Sequence, residues 1–389
     1  MPWKEVSLMS VRHEFVLLAQ QPDANLALLA RRFGISRKTA YKWLRRYRTW
    51  GAGSLIDYSR RPHTSPARTS EQLEQRVLGL RHQHPAWGGR KLHARLLALG
   101  HAHVPSPSTI TAILRRHGRL HGGPRAGQPR AWQRFEHACP NDLWQMDFKG
   151  HFGLTDGSRC HPLTVLDDHS RYALGLLPCR DETTATVRAA LAVLFRRYGL
   201  PRRILMDNGP PWGGEPDLYT ELTVWLLRLG VQVSHGRPRH PQTQGKDERF
   251  HRTFRAEVLA QQTFSSVPDC QEPFERWRHT YNHERPHEAL RLAVPASRYR
   301  PSPRAMPTAL PPITYDPSDI VRRVMDDGRF SYQGQLYRLA RGFRGYPIAL
   351  RAANGQQGQL GVWFCTHQLG TLDPHHRTFE GNGPRKKRE

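Results

Sequence analysis

Leu143-Trp-Gln-Met-Asp-Phe148 is the first of three short apolar segments in the middle of the 389-residue chain. Pro162-Leu-Thr-Val-Leu-Asp-Asp-His169 and Tyr172-Ala-Leu-Gly-Leu-Leu177 follow it. Apolar runs of four to eight residues that are bounded by turn residues are typical of strands. The three segments therefore predict that a β-sheet begins at Leu143.

Helices and strands alternate after this point. A helix capped by Asp181 is expected to end at Tyr198, and four further elements follow it: a strand over Arg203–Asp207, a helix over Leu218–Leu229, a strand over Val231–Ser234 and a long helix over Gln244–Gln261. Three consecutive strands followed by this alternation predict an α/β domain built on a mixed five-stranded sheet.

Two aspartates occupy strand positions where a carboxylate packs poorly, Asp147 and Asp207. Buried carboxylates are costly unless they are paired or bound to metal, and two of them on adjacent strands repel each other. Oxygen ligands of this kind suit Mg²⁺ or Mn²⁺, and two such ions can act on both oxygens of a phosphoryl transfer. Glu248, one turn into the last helix, is the candidate third ligand.

Other acids compete for these roles, and any one acid taken alone is better explained as a surface charge. Glu215 lies in a Gly/Pro-rich loop, and Asp247 points about 100° away from Glu248 around the helix. We expect Asp167 and Asp168 to accept hydrogen bonds at a strand end. On the last helix Phe250, Phe254 and Val258 form the predicted apolar seam, and Glu248 shares its face with two cations, Arg252 and Arg255.

Three motifs in this region resemble a known family. Trp144-Gln-Met-Asp147, Asp207-Asn-Gly and Pro241-Gln-Thr-Gln-Gly-Lys-Asp-Glu248-Arg-Phe-His are similar to the signatures of the DDE integrase core. Retroviral integrases and the transposases of bacterial insertion sequences share this core. The resemblance extends to Leu166-Asp-Asp-His-Ser-Arg-Tyr172 and to the stretch that begins at Tyr281.

The resemblance implies an RNase H-like catalytic domain over residues 138–300. It also implies that Asp147, Asp207 and Glu248 are the catalytic, metal-holding residues. One departure is the spacing of the last two acids, which are 41 positions apart (248 − 207), several more than is usual for this family. The surplus falls in the loop that contains Glu215.

The charge of the chain indicates a polyanionic partner. Lys and Arg number 59 against 33 Asp and Glu, a net charge of +26, and residues 1–136 carry 24 basic and 7 acidic side chains. Such a charge destabilises a compact chain unless an anionic partner offsets it, and nucleic acid is the usual candidate.

Residues 1–58 fit a helix-turn-helix domain. A helix from Ser10, a second over Leu26–Phe33, and the turn Gly34-Ile-Ser36 precede a basic helix over Arg37–Tyr47. Ser36 suits the N-cap of that helix, and the helix should bury Ala40, Leu44 and Tyr47. The residues that would face the DNA major groove are Arg37, Lys38, Thr39 and Lys42.

Residues 66–120 repeat this pattern without repeating its sequence. Three helices are expected, the last running from Thr109 to His117 after a Pro/Ser cap, and Ser108 and Thr109 are its candidate DNA contacts. In the catalytic domain, the candidate DNA contacts are Gln244, Lys246, Arg252 and Arg255.

The C-terminal part is expected to be a separate β-domain. Short alternating segments between Gly turns over residues 313–375 predict a small barrel, similar to the SH3-like module of integrases. We expect it to contact DNA or another subunit, and the basic tail Arg385–Arg388 to contact phosphates.

Several classes of protein are excluded. No stretch approaches the roughly 18 apolar residues of a membrane span, and the N-terminus lacks the apolar core of a signal peptide, so a cytoplasmic, nucleoid-associated protein is expected. The five cysteines show neither zinc-site spacing nor a disulfide framework.

Together these features predict a transposase. It would bind the terminal inverted repeats of a mobile element, cleave a phosphodiester at the element end with metal ions, and join the freed 3′-OH to target DNA. Its partners would be double-stranded DNA and further copies of the chain in a synaptic complex. The alternatives are an RNase H-like nuclease without joining activity, and a DNA-binding regulator with an idle core. The intact acids argue against the regulator, and the tandem helical domains argue against a general nuclease.

Overall fold

The computed structural model describes residues 8–58, 68–120, 136–207, 209–213, 219–236, 245–352 and 358–381. The chain divides into two compact units, Met1–Arg68 and Thr69–Glu389. Several predicted features lie outside the described residues, among them Asn208, residues 241–244 with the candidate DNA contact Gln244, Glu215 and the basic tail. Within the part that is described, no helix is both long and apolar enough to cross a membrane.

The first unit contains three helices, α1 (Leu8–Ala19), α2 (Leu26–Arg32) and α3 (Arg37–Trp50). Ser36 caps α3 as predicted, because its Oγ accepts a hydrogen bond from the amide of Thr39 at 3.1 Å. Gly34, two residues before Ser36, has φ +64°, a conformation that glycine adopts without strain. Ala40 and Leu44 are buried as predicted, but Trp43 is buried too, whereas Tyr47 is only half-buried.

The second unit begins with another helical group, α4 (Glu71–Gln83), α5 (Gly89–Ala98) and α6 (Pro107–Arg116). Ser106 caps α6 through the amide of Thr109. A methyl group added at Gly89 would lie 2.3 Å from the carbonyl oxygen of Pro107, so glycine allows α5 and α6 to approach closely. The buried centre of this group consists of Val77, Trp87, Leu92, Leu96, Ile110, Ile113 and Leu114.

A mixed sheet forms the middle of the second unit. Its strands are β1 (Trp144–Phe148), β2 (Phe152–Gly153), β3 (Arg159–Asp167), β4 (Ala173–Cys179), β5 (Arg203–Met206) and β6 (Gln232–His235). Pairing gives the order β4-β3-β1-β5-β6, with the two-residue β2 added to the end of β3. β1 pairs antiparallel with β3 and parallel with β5. These are the five predicted strands, with one short addition.

Helices cover both faces of this sheet. α7 (Thr184–Tyr198) and α8 (Glu221–Arg228) pack on one face, and α9 (Gly245–Phe254), a π-helical turn (Arg255–Leu259) and α10 (Val267–His283) pack on the other. Thr183, not Asp181, caps α7; Asp181 accepts hydrogen bonds from the Thr183 and Thr186 hydroxyls instead. The seam predicted for the last helix is confirmed, since Phe250, Phe254 and Val258 are buried.

The C-terminal strands form an open sheet and a separate hairpin. The strands are β7 (Ile320–Arg323), β8 (Arg329–Tyr332), β9 (Gln335–Arg338), β10 (Pro347–Ala352), β11 (Leu360–Phe364), β12 (His367–Asp373) and β13 (Thr378–Gly381). The sheet has the order β13-β12-β11-β10-β7, and within the described residues β8 pairs with β9 alone. No closed barrel is present in the described residues, so the predicted SH3-like barrel is not confirmed.

This β-domain packs against α8. Val224 and Leu227 of α8 share one apolar cluster with Phe343 and Phe364. A methyl group at Gly342 would lie 2.2 Å from the carbonyl oxygen of Tyr219, so only glycine fits this contact. The β-domain is therefore an integral part of the second unit.

Candidate active site

Asp147 and Asp207 lie at the same end of two neighbouring strands. Asp147 is the fourth residue of β1, and Asp207 directly follows β5. Because β1 and β5 are parallel, with Trp144 opposite Ile204 and Gln145 opposite Leu205, the register brings the two aspartates side by side. Asp147 is half-buried and Asp207 is exposed. The sequence prediction that these two acids occupy adjacent strands is confirmed.

The surroundings of Asp147 favour its neutral form. Burial, and to a smaller extent the neighbouring charge of Asp207, together raise the pKa of its carboxyl to about 6. His251 Nδ1 lies 4.0 Å from Asp147 Oδ2, and burial holds the pKa of that imidazole down at about 4. His251 is thus a neutral neighbour at pH 7. A cation between Asp147 and Asp207 would relieve the repulsion that shifts the Asp147 pKa.

Thr164 and His251 lie next to Asp147. The Thr164 hydroxyl donates to the Asp147 carbonyl oxygen at 2.9 Å and lies 2.9 Å from His251 Nε2. Thr164 is opposite Asp147 across the β1–β3 pair, and His251 lies on α9. Neither residue was predicted from the sequence. The position of His251 one turn after Asp247 on a half-buried helix face is the signal that could have identified it.

The first turn of α9 carries two acids that face in different directions. Glu248 is exposed, together with Arg252 and Arg255, as predicted for that face. Asp247 is 1% exposed, and its Oδ1 has no hydrogen-bond partner among the described residues. Burial raises the pKa of Asp247 well above its usual value, and the charges of Asp147 and Asp168 add to this. Asp247 therefore faces the sheet, and Glu248 faces solvent.

Asp168 ties the start of α9 to the sheet. Its Oδ1 accepts hydrogen bonds from Gln145 Nε2 at 2.7 Å and from Lys246 Nζ, and its Oδ2 accepts one from the amide of His137 at 2.9 Å. Burial alone would raise the pKa of Asp168, but the hydrogen bond and charge of Lys246 leave it below its usual value. Lys246, a predicted DNA contact, thus has an internal partner, and its contact with DNA stays a prediction.

Asp167 has the strand-end role that was predicted for it. It is fully buried, and its carboxylate accepts hydrogen bonds from the Ser170 amide at 2.8 Å and hydroxyl at 2.5 Å, and from the Asn141 amide at 2.7 Å. These bonds close the turn between β3 and β4. Asp167 and Asp168 are therefore structural residues.

The predicted DNA-contacting side chains lie on several surfaces. On α3 the exposed ones are Arg37, Lys38 and Lys42, whereas Thr39 is half-buried and hydrogen-bonded to Ser36. On α6 both Ser108 and Thr109 are exposed. The contact between any of these residues and DNA stays a prediction.

The three predicted metal ligands, Asp147, Asp207 and Glu248, are not gathered in one place in the described part of the chain. No group of three His, Cys, Asp or Glu side chains there is close enough to hold an ion. The structure brings Asp147 and Asp207 together but does not gather Glu248 with them. The roles of all three as metal ligands therefore stay predictions.

Five family profiles match most of the chain. The integrase core domain matches residues 137–241, and a second integrase core profile matches residues 229–295. A helix-turn-helix domain matches residues 11–63, and a homeodomain-like domain matches residues 39–114. The C-terminal domain of IS481 family transposases matches residues 319–380.

Two similar proteins are encoded by insertion elements. The IS407 uncharacterized 31.7 kDa protein of Burkholderia multivorans is 28% identical over 247 residues, which are 62% of this chain and 84% of the relative. The IS476 uncharacterized 39.2 kDa protein of Xanthomonas euvesicatoria is 27% identical over 240 residues, 59% of this chain and 65% of the relative. Among solved structures, the HTLV-2 integrase catalytic core in complex with magnesium aligns with 42% of this chain and 99% of its own at 15% identity and a TM-score of 0.33.

Proposed function

Because this chain belongs to the DDE transposases of bacterial insertion sequences, we propose that it cuts and joins DNA at the ends of such an element with Asp147, Asp207 and Glu248. The chain is a transposase with helix-turn-helix DNA-binding domains and an integrase core. The finer assignment of residues and steps is the proposal. Residues 1–58 and 66–120 read DNA, residues 138–300 carry the chemistry, and residues 313–375 are an accessory domain.

The observation that carries the catalytic proposal is the pairing of Asp147 with Asp207. The two carboxylates are held at adjacent strand ends, where burial and the neighbouring charge of Asp207 raise the pKa of Asp147 to about 6. A protein that kept such a pair only for stability would supply it with hydrogen-bond donors, as it does for Asp167 and Asp168.

The donor set fits Mg²⁺ or Mn²⁺. These ions prefer carboxylate oxygens, and the pair offers such oxygens from two side chains. Asp147, Asp207 and Glu248 would hold one ion or two. A bound ion would stabilise the negative charge that develops on the phosphodiester oxygens during displacement.

The other residues of the site would hold α9 in position and bind the DNA backbone. The Lys246–Asp168 bond and the Phe250–Phe254 seam fix the first turn of α9 against the sheet, which places Glu248 on the same side as Arg252 and Arg255. Those guanidinium groups would hold the DNA backbone beside the acids. Water is the nucleophile for cleavage and the DNA 3′-OH is the nucleophile for joining, so no covalent protein intermediate is needed.

End recognition is assigned to α3 and α6. Each is the third helix of its group, begins at a Ser cap and exposes polar or basic residues in its first turns. A recognition helix enters the major groove by its N-terminal residues. Two such helices could cover a long asymmetric repeat at each element end. Two ends require at least two chains, so a homo-oligomeric synaptic complex in the cytoplasm is the proposed working form, with the C-terminal domain contacting DNA or a neighbouring subunit.

The catalytic proposal is tested by joining of a labelled, pre-cut repeat end to plasmid DNA in Mg²⁺ and in Mn²⁺. Asp147→Asn and Asp207→Asn should each lower joining by several orders of magnitude, because each ~1.4 kcal/mol of lost charge stabilisation is a factor of ten in rate. End binding should be retained. Joining at near the wild-type rate by either variant would overturn the assignment, and a wild-type protein that cuts but never joins would indicate a nuclease.

End recognition is tested by the salt dependence of binding to the repeat. Binding should weaken steeply as salt rises, because many Lys and Arg side chains displace counterions from phosphates. Arg37→Ala should reduce discrimination between the repeat and random duplex by about 1–3 kcal/mol if Arg37 contacts a base edge. Equal affinity of the wild-type protein for repeat and random duplex would contradict the proposal.

A further inference from the structure

The second helical group is held against the end of the catalytic core by ion pairs. Arg95 of α5 donates through Nη2 to Glu284 Oε2 at 2.6 Å, although the two residues are 189 positions apart. Their side chains are 20% and 30% exposed, so water only partly screens the pair. Arg90 Nη1 lies 3.5 Å from Glu288 Oε1 in a more exposed position. We call these four residues the α5 contact.

The α5 contact is continuous with the helix that carries Glu248. Glu257 lies in the π-helical turn that continues α9, and it accepts hydrogen bonds from Trp277 Nε1 at 2.9 Å and from Arg285 Nε at 3.2 Å. Arg285 follows Glu284 directly in the chain. The side chains of Glu257 and Arg285 are each 10% exposed, so this is a largely buried pair.

The α5 contact is also continuous with the recognition helix α6. Gly89 lets the first turn of α5 pack against Pro107 at the start of α6, with no room for a methyl group between them. Leu92 and Leu96 of α5 share a buried cluster with Ile110 of α6. A displacement of α5 on the core would therefore move α6 with it.

We propose that the α5 contact sets the spacing between the DNA sequence that α6 reads and the phosphodiester that the acids cut. Arg95 and Glu284 are positioning residues, since they contact neither the acids nor the exposed face of α6. The inference rests on the proposed function. Its physical basis is that packed helices and paired charges connect α6, α5, the chain after α10, and α9.

Charge reversal in the full-length chain tests this proposal. Arg95→Glu and Glu284→Arg should each lower cleavage at the wild-type position about tenfold, the size of coupling expected between directly contacting groups, and should spread the cuts to neighbouring phosphodiesters. The double variant restores an ion pair of opposite polarity and should recover the wild-type position. Glu272→Arg is the matched control, because it reverses an 84% exposed acid on α10. It should cut as the wild type does.

The readout is the cut position on a repeat-end duplex at nucleotide resolution, with hydrogen exchange of the Glu284 and Arg285 amides as a measure of the contact itself. These amides donate to Thr280 O and should exchange faster in both single variants. Unchanged cut positions in the single variants, or no recovery in the double variant, would overturn the inference while leaving the transposase intact. A wild-type chain that cuts nothing would instead overturn the proposed function, and this inference with it.

Discussion

Asp147 and Asp207 differ from Asp167 and Asp168 in what their carboxylates contact, although all four lie in or directly after strands of one sheet. Asp167 and Asp168 are buried, and each accepts at least three hydrogen bonds from side chains or amides. Among the described residues, no side-chain donor lies within hydrogen-bond distance of the carboxylates of Asp147 and Asp207.

The difference separates structural acids from acids available to a ligand. Burial with complete hydrogen bonding stabilises a fold, because a buried group without its partners would be costly. The partly exposed pair, by contrast, has no side-chain donor on its carboxylates among the described residues, and the charge of Asp207 disfavours the charged form of Asp147. Position in a strand alone would not distinguish the two pairs, but the hydrogen-bond donors around each carboxylate distinguish them.

The largest expected effect is on end joining, and it distinguishes the two acids of α9, Glu248 and Asp247. Glu248→Gln should lower end joining by several orders of magnitude, because it removes a charge that would balance a divalent cation while keeping side-chain size. Asp247→Asn should leave most of the activity, since Asp247 is buried and faces the sheet. Glu215→Gln is the second control. Loss of joining in Glu215→Gln but not in Glu248→Gln would mean that Glu215, and not Glu248, is the third metal ligand.

The next effect concerns stability and separates the two aspartate pairs. Asp167→Ala should lower the free energy of unfolding by about 2–4 kcal/mol, because the Ser170 and Asn141 donors lose their acceptor. Asp207→Ala changes an exposed residue and should stay within about 0.5 kcal/mol of the wild type. Urea unfolding without divalent metal measures both. Equal losses would remove the distinction between the pairs.

A smaller effect concerns pH. The pKa of Asp147 is raised to about 6 by burial and by Asp207, so between about pH 4 and pH 6 the folded chain binds more protons at this site than the unfolded chain. Without metal, this group should therefore lower the free energy of unfolding as pH rises through that window, by an amount on the order of 1 kcal/mol. The difference between wild-type and Asp147→Asn urea midpoints at pH 4.5 and pH 7 reports it. A difference that does not change with pH would contradict the prediction.

The smallest effect concerns DNA affinity in EDTA. Asp207→Asn removes an exposed negative charge from the surface that we propose faces the DNA phosphates, and it should strengthen end binding by a few-fold at low salt. Asp167→Asn removes a buried charge and should leave binding unchanged. Anisotropy titrations at two salt concentrations measure this, and the gain should shrink at high salt. A gain that is independent of salt would show that charge is not its cause.

Much of the fold follows from local sequence patterns. The apolar runs identified β1, β3, β4, β5 and β6, and a Ser after a glycine turn identified the start of α3. These features depend on neighbouring residues, which a single sequence displays directly. The parallel pairing of β1 with β5, which makes Asp147 and Asp207 neighbours, comes from the structure.

Other features depend on contacts between distant segments. α10 was missed because Pro273 interrupts its pattern and most of its apolar face is defined only by packing against Phe250 and Phe254. The hydrogen bond of Lys246 to Asp168 joins residues 78 positions apart, and no local signal marks it. The barrel predicted for the C-terminal strands is not confirmed, because strand lengths alone do not determine whether a sheet closes.

Direct measurement of metal binding tests the distinction between the two aspartate pairs most directly. Calorimetric titration of Mn²⁺ or Mg²⁺ into the wild-type chain at pH 7.5 should show binding that Asp207→Asn abolishes or weakens by at least about tenfold, because one of the free carboxylates is lost. Asp168→Asn, verified as folded, should bind the ion as the wild type does. Wild-type affinity in Asp207→Asn, with binding lost in Asp168→Asn, would show that the ion binds at the other pair.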